Sequence, residues 1–287
     1  MSKDATRLKR KLPRDRTFEQ LRNHYEVEKS IAARLKNAGR EERKKLFPVM
    51  YDELFAKVPD HPRNKARKSA DEIESLNKKK LQLVEEHLDD STIFVEFGPG
   101  DCHFAFEVCK HVKMLFAVDI SDQRAEKINI PANFKLMIYD GFNLDIESDS
   151  VDVVFSDQLI EHLHDEDVED HFQLVKRILR NGGLYILRAP HAFFGPHDIS
   201  KYFSDEAQGF HLKEWTYSEI GEVLKKLNFR SWNGFWRINT KLNKKYIKIP
   251  FCYFKTVEDM LRGLPKKPRR FLSRLFLPLQ LHMIAAK

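Results

Sequence analysis

The stretch Ile93-Phe94-Val95-Glu96-Phe97-Gly98-Pro99-Gly100-Asp101 is an apolar run that closes on an acid and two spaced glycines. That pattern predicts a buried strand entering a tight turn that faces a ligand, because glycine accepts positive φ and lets the backbone approach a bound group closely. Working outward, Met114-Leu115-Phe116-Ala117-Val118 ends at Asp119, roughly twenty residues past the glycine turn, where a carboxylate on a second strand accepts hydrogen bonds from ribose hydroxyls. A third run, Phe134-Lys135-Leu136-Met137-Ile138-Tyr139, ends at Asp140 and is followed by Gly141 and Phe142. In an open parallel sheet the C-terminal strand ends share one edge, so Glu96, Asp119 and Asp140 should meet at one crevice.

This succession resembles the class I S-adenosylmethionine-dependent methyltransferases, through Val95-Glu96-Phe97-Gly98-Pro99-Gly100, Val118-Asp119-Ile120-Ser121 and Tyr139-Asp140-Gly141-Phe142. The likeness continues through a fourth strand, Val151-Asp152-Val153-Val154-Phe155-Ser156, and the segment Ser156-Asp157-Gln158-Leu159-Ile160-Glu161-His162-Leu163. A helix and the turn Leu179-Arg180-Asn181-Gly182-Gly183 then lead to a fifth strand, Leu184-Tyr185-Ile186-Leu187-Arg188. It covers roughly residues 80–236 and implies an α/β fold: a Rossmann-like seven-stranded sheet with helices on both faces, plus an N-terminal helical extension. The resemblance implies S-adenosylmethionine as cofactor. Glu96, Gly98 and Gly100 would hold its methionine part, with Phe97 in the same turn, Asp119 its ribose and Ile120 one face of adenine. Asp140 would accept from the adenine amino group, with the Gly141 and Phe142 backbone at the ring, and Gln158 or the Ser156 carbonyl would meet the methionyl ammonium. The chain departs from the family at Cys102, where a third glycine is frequent. A nicotinamide dinucleotide fits less well, since the third glycine of its fingerprint would fall on His103.

The 287 residues, 42% hydrophobic and 32% charged, suit a soluble catalytic domain with appendages. Residues 1–16 are polar and basic, unlike a secretory signal, and no apolar stretch is long enough to span a bilayer, so a cytoplasmic location is expected. Three cysteines, Cys102, Cys109 and Cys252, form no even framework and no metal-ligand spacing. The net charge of +7 hides an acidic centre. Residues 1–90 carry 23 Lys and Arg against 17 Asp and Glu, residues 91–239 carry 15 against 24, and residues 240–287 carry 12 against 2. The positive surface therefore lies on the flanks, and nucleic acid is not the expected partner.

Three parts follow: a basic helical extension or lid (1–88), an S-adenosylmethionine-binding core (89–239), and a basic insertion with a closing strand (240–287). Apolar residues at helical spacing, among them Tyr25, Ile31, Leu35, Met50, Tyr51, Leu54 and Phe55, stop at Pro59-Asp60-His61-Pro62, and a second amphipathic helix is expected over 70–88. These helices either cover the crevice and shape the acceptor pocket or cap the sheet and support a dimer. The basic arm Arg7-Leu8-Lys9-Arg10-Lys11 reads as solvated. The segment His191-Ala192-Phe193-Phe194-Gly195-Pro196-His197-Asp198-Ile199-Ser200-Lys201-Tyr202-Phe203 follows the fifth strand, where substrate loops sit. With Gly209-Phe210-His211-Leu212-Lys213-Glu214-Trp215-Thr216-Tyr217 and the 51–62 region it resembles a bacterial methyltransferase subgroup associated with glycan or other surface-polymer synthesis. The expected reaction is methyl transfer to oxygen of a small-molecule or glycan-type acceptor, with RNA or protein methylation and a non-catalytic scaffold as alternatives. His162, His197 and His211 are the candidate general bases, and no metal is expected despite His162-Leu163-His164-Asp165. Thr216-Tyr217-Ser218-Glu219 has capping-box spacing for a helix ending near Leu227. Phe229 to Trp236 reads as a sixth strand and Leu281-His282-Met283-Ile284-Ala285-Ala286 as the closing one. Between them, 266–277 interleaves cations with Phe271, Leu272, Leu275, Phe276 and Leu277, a pattern that fits either peripheral contact with an anionic membrane or a helix packed on the sheet.

Overall fold

The computed structural model describes residues 8–65, 69–124, 129–239 and 244–287; Arg7 of the basic arm lies outside them. Eight strands form one mixed sheet: β1 (Ile93–Phe97), β2 (Met114–Asp119), β3 (Phe134–Ile138), β4 (Val151–Asp157), β5 (Leu179–Pro190), β6 (Ser231–Asn239), β7 (Lys244–Pro250) and β8 (Gln280–Ala286). Their order is β3-β2-β1-β4-β5-β8-β6-β7. The first five are parallel, while β8 runs antiparallel between β5 and β6 and β7 adds an antiparallel edge. The strand order reverses between β1 and β4, which opens a crevice at their C-terminal ends. Near-continuous apolar runs make these central strands, because helices cover both of their faces.

The seven-strand expectation is corrected by β7. Its sequence, Lys244-Lys245-Tyr246-Ile247-Lys248-Ile249-Pro250, alternates so that Tyr246 and Ile249 pack on opposite sides of the sheet. The lysines that made it look like a basic insertion suit an edge strand, where charge discourages pairing with a second sheet. A second difference is the turn expected at 179–183, which falls within β5, with a register irregularity against β4 between Val151 and Val153.

Nine α-helices are described: α1 (Phe18–Asn37), α2 (Arg40–Lys57), α3 (Pro62–Lys65), α4 (Ala70–Val84), α5 (His103–Val108), α6 (Asp165–Ile178), α7 (Tyr217–Lys226), α8 (Phe251–Arg262) and α9 (Lys266–Phe276). Reciprocal capping boxes start three of them: Thr17 with Gln20, Ser69 with Glu72, and the expected Thr216 with Glu219. The α7 N-terminus is further held by Glu258 of α8, which is 0% exposed and accepts from the Tyr217 and Ser218 backbone N–H groups at 2.7 and 2.8 Å. That carboxylate fixes the end of the sheet on which the 191–215 segment rests.

The N-terminal helices carry a core of their own. Ile31, Leu35, Phe47, Met50, Leu54 and Val58 are buried together with Phe210, and Ile120 and Phe142 pack against that cluster from the sheet. Arg43 of α2, 1% exposed, donates to both Asp167 oxygens of α6 at 2.7 and 2.6 Å and to the Ala38 carbonyl at 2.6 Å. A chain of polar contacts, Asp60 to Arg16 to His24 to Glu28, ends where Glu28 accepts the Phe210 N–H at 3.2 Å. The helices are thereby bound to the crevice's upper side.

Candidate active site

The turn after β1 holds Gly98 at φ +67° and Gly100 at φ +57°, and nothing lies within 4 Å of where a Gly100 Cβ would stand. The turn is open toward the crevice. Glu96, 2% exposed, ends the strand beneath it with Oε2 unpartnered, and burial pushes its pKa up to about 8. A buried carboxylate without a partner is costly unless a cation completes it. Asp119 accepts from Ile120 N–H at 2.7 Å and Gly100 N–H at 3.3 Å, so the second strand's acid also pins the glycine turn. Burial raises its pKa, against the effect of those backbone hydrogen bonds. Gln158, the first residue after β4, sits at φ +57° with a buried, unpartnered Nε2. Strained backbone of this kind is concentrated at functional sites. Beside it Asp157 pairs with Lys80 at 2.9 Å and Arg188 at 3.2 Å; burial alone would raise its pKa, and the two cations reverse that.

The crevice brings Gly98, Gly100, Asp119, Ile120, Gly141 and Gln158 to one wall, as expected, with His162 at its inner end. The side chains of other expected cofactor residues are engaged elsewhere. The Phe97 ring is 0% exposed and meets His171 and Tyr139 edge-on in the core, and Ser156 Oγ lies 2.8 Å from the Tyr185 hydroxyl. Asp140 is engaged by its own turn, Oδ1 accepting from Phe142 and Asn143 N–H at 2.9 and 2.7 Å, while the Phe142 ring lies beneath the Arg40 guanidinium. Gly141 (φ +89°) leaves room for Phe47, whose ring would stand 3.2 Å from a Cβ there.

Phe47, Met50 and Tyr51 from α2 and Arg63 from α3 supply the opposite wall. Tyr51, Arg63 and His162 also line a smaller pocket of about 150 Å³ whose far side is Glu28, His61, Asp198, Phe210 and His211. This pocket adjoins the crevice, the arrangement an acceptor beside a cofactor requires. His162 Nδ1 is 2.9 Å from the Phe210 carbonyl, which can only accept, so Nδ1 carries the hydrogen and Nε2 keeps a lone pair. Burial, and then the charge of His211, holds its pKa down at about 3, so the ring is neutral.

The other two histidines are joined by a residue to which the sequence reading gave no role. Glu214 Oε1 is 2.9 Å from His211 Nδ1 and Oε2 is 3.2 Å from His197 Nδ1. Burial would raise the Glu214 pKa, but the His197 and His211 rings beside it lower it to about 2. His211 meets His162 edge-on at 5.0 Å and faces the acceptor-side pocket, whereas His197 opens on a different cavity. Glu161 is 0% exposed with both carboxylate oxygens unpartnered, and it brings one oxygen within 4.8 Å of ring nitrogens of His162 and His211. Burial raises its pKa to about 8. Tyr51, Arg63, Glu161 and Glu214 were not named as site residues: Tyr51 and Glu161 lay within segments quoted for a resemblance but without a role of their own, Arg63 gave no signal, and Glu214 stood three residues after His211.

The parallel half-sheet, its reversal point and the glycine turn define an α/β fold of the kind that takes a nucleoside-type cofactor at the strand ends. Residues 95–187 match the methyltransferase domain family. The chain is 35% identical over 101 residues to phosphoethanolamine N-methyltransferase 1 of Triticum aestivum, a segment that is 33% of this chain and 20% of that protein. It therefore spans only about a fifth of that relative's length. The fold is similar to a SAM-dependent methyltransferase from Archaeoglobus fulgidus (TM-score 0.51, 17% identity, 75% of this chain and 94% of that one). It is also similar to phosphoethanolamine N-methyltransferase 2 of Haemonchus contortus, solved with phosphomonomethylethanolamine and S-adenosylhomocysteine (TM-score 0.50, 16% identity, 73% and 52%). Residues 95–187 thus match a methyltransferase domain and share the fold of S-adenosylmethionine-dependent methyltransferases, a fold that implies S-adenosylmethionine as cofactor. The residues fit that group: open glycines at the turn, and an orphaned carboxylate and an orphaned amide nitrogen at the end of β1 and just after β4. Among the described residues no helix is long and apolar enough to cross a membrane.

Proposed function

We propose that the protein methylates a hydroxyl group of a small-molecule or glycan-type acceptor held in the pocket between α1, α2 and the 198–211 region. The observation that carries this reading is His162, which lines both the cofactor crevice and that pocket and keeps an unprotonated ring nitrogen. Bound S-adenosylmethionine supplies a methyl group on a sulfonium, already an activated leaving group. The protein's task is then to align the acceptor and remove its proton. Glu96, Gly98, Gly100 and Gln158 would hold the methionine part, and Asp119 the ribose. Arg63 and Tyr51 would orient the acceptor from the α2–α3 side, and His162 would take its proton. The reading needs no metal, since neither the leaving group nor a hydroxyl beside a neutral imidazole requires one.

A second reading, an amine acceptor, is favoured by Glu28 and Asp198 on the pocket wall and by the wheat relative, whose name gives phosphoethanolamine as its substrate. Product formation with a panel of sugars, hydroxylated small molecules and phosphoethanolamine separates the two. On either reading His162→Gln should lower turnover by about 10²-fold or more while S-adenosylhomocysteine affinity by calorimetry stays within a fewfold. Equal loss of binding and turnover would remove His162 from the proton-transfer role.

A further inference from the structure

On the far side of Glu214 lies a second cavity, of about 730 Å³, to which the methyl-transfer reading gives no part. Five cations line it: Arg10 from the N-terminal arm, Lys201, Arg237 of β6, and Arg270 and Arg274 of α9. Among the described residues no carboxylate lines the cavity wall and none of the five makes an ion pair. Four chain segments distant in sequence thus converge to place like charges together. Arg10 is brought there because Lys9 N–H donates to the Tyr202 carbonyl at 2.8 Å. The arrangement is unfavourable by itself. Burial, and then the charges of Arg10 and Arg274, lowers the Arg270 pKa, and burial followed by Arg10 lowers that of Lys201. Unsatisfied donors point the same way: Arg237 Nε and Arg270 Nε are buried without partners.

Concentrated, unpaired guanidinium groups with orphaned N–H donors match the oxygens of a phosphate cluster, each fork binding two of them. We infer that this cavity binds a phosphate-bearing polyanion of the diphosphate or clustered-monophosphate type, at a site distinct from the cofactor crevice. Two sources share that chemistry. A soluble phosphorylated molecule would fill the cavity alone. A lipid would place its phosphate there and its chains against the neighbouring apolar stripe, since Phe271, Leu275 and Leu279 are 65, 58 and 60% exposed beside Arg270 and Arg274.

The test is calorimetry of the full chain with inorganic pyrophosphate, paired with flotation on vesicles of phosphatidylcholine alone or mixed with phosphatidic acid. Wild type should bind pyrophosphate with affinity that falls as salt rises, and the double variant Arg237→Gln/Arg274→Gln should lose about tenfold or more, while its S-adenosylhomocysteine affinity, as a check on folding, is unchanged. Flotation with the phosphatidic acid vesicles alone, competed by pyrophosphate and lost in the same variant, assigns the lipid source; pyrophosphate binding without flotation assigns the soluble one. Failure to bind either probe at low salt, or binding that the double variant leaves intact, overturns the site.

Discussion

At the scale of single residues, Asp119 has two tasks whose failure modes differ. Its carboxylate would receive ribose hydroxyls and it also accepts the Gly100 and Ile120 N–H groups, so it shapes the turn before any ligand arrives. Asp119→Ala should therefore weaken S-adenosylhomocysteine by about tenfold or more in calorimetry, since charge-assisted hydrogen bonds are worth about 1.5–3 kcal/mol each. An unchanged affinity in a folded variant would remove Asp119 from the ribose site. This residue was legible because a strand-end acid at that distance from a glycine turn has a chemical reason to be there. Tyr51 and Arg63 were not, because a helix that presents one face to a crevice looks in sequence like a helix that presents it to a core. Strand alternation turns the Phe97 ring and the Ser156 hydroxyl into the interior, which leaves the Ser156 carbonyl as the group expected at the cofactor.

At the scale of elements, the parallel strands were readable as continuous apolar runs, and α7 as a capped amphipathic helix. β7 was not, because three lysines in seven residues mask an alternation that only an edge position permits. What holds α2 to α6 was equally hidden: Arg43 and Asp167 stand far apart in the chain and look like two of many surface charges. Buried as a bidentate pair, they behave otherwise. Arg43→Met should destabilise the protein by about 3–5 kcal/mol in denaturant melts, since it strands Asp167 without a partner, and Arg43→Met/Asp167→Leu should recover much of that loss. A single-variant loss no larger than that of an exposed pair would show that the contact does not anchor the helices.

For the whole molecule, buried titratable groups set opposing slopes of stability with pH. His162, His171 and His282 are held down to about 3, 4 and 3 by burial, so the unfolded chain binds more protons there and stability rises with pH up to roughly the ordinary histidine value of 6.5. Glu96 and Glu161 are raised by burial to about 8 from 4.5, so across that interval the folded chain binds more protons and they take stability away as pH rises. The histidines oppose this only below 6.5. Stability of the ligand-free protein should therefore peak near pH 6.5 and decline toward 8, and Glu161→Gln should flatten the alkaline decline. Urea titrations across that range measure both, and a wild-type curve that keeps rising to pH 8 would show that these carboxyls ionise normally.

The contacts that fasten α1 and α2 also impose an order in time. Arg43 finds its partner 124 residues later and Glu28 accepts a hydrogen bond from a residue 182 positions on, so helices made early in synthesis have nothing to dock on until residues near 167 and 210 exist. Until then their apolar faces, Phe47, Met50 and Leu54 among them, are uncovered. The wall of the crevice is thus translated before the core it seats on, and a nascent chain carries an exposed, sticky hairpin until residues near 167 and 210 have been made.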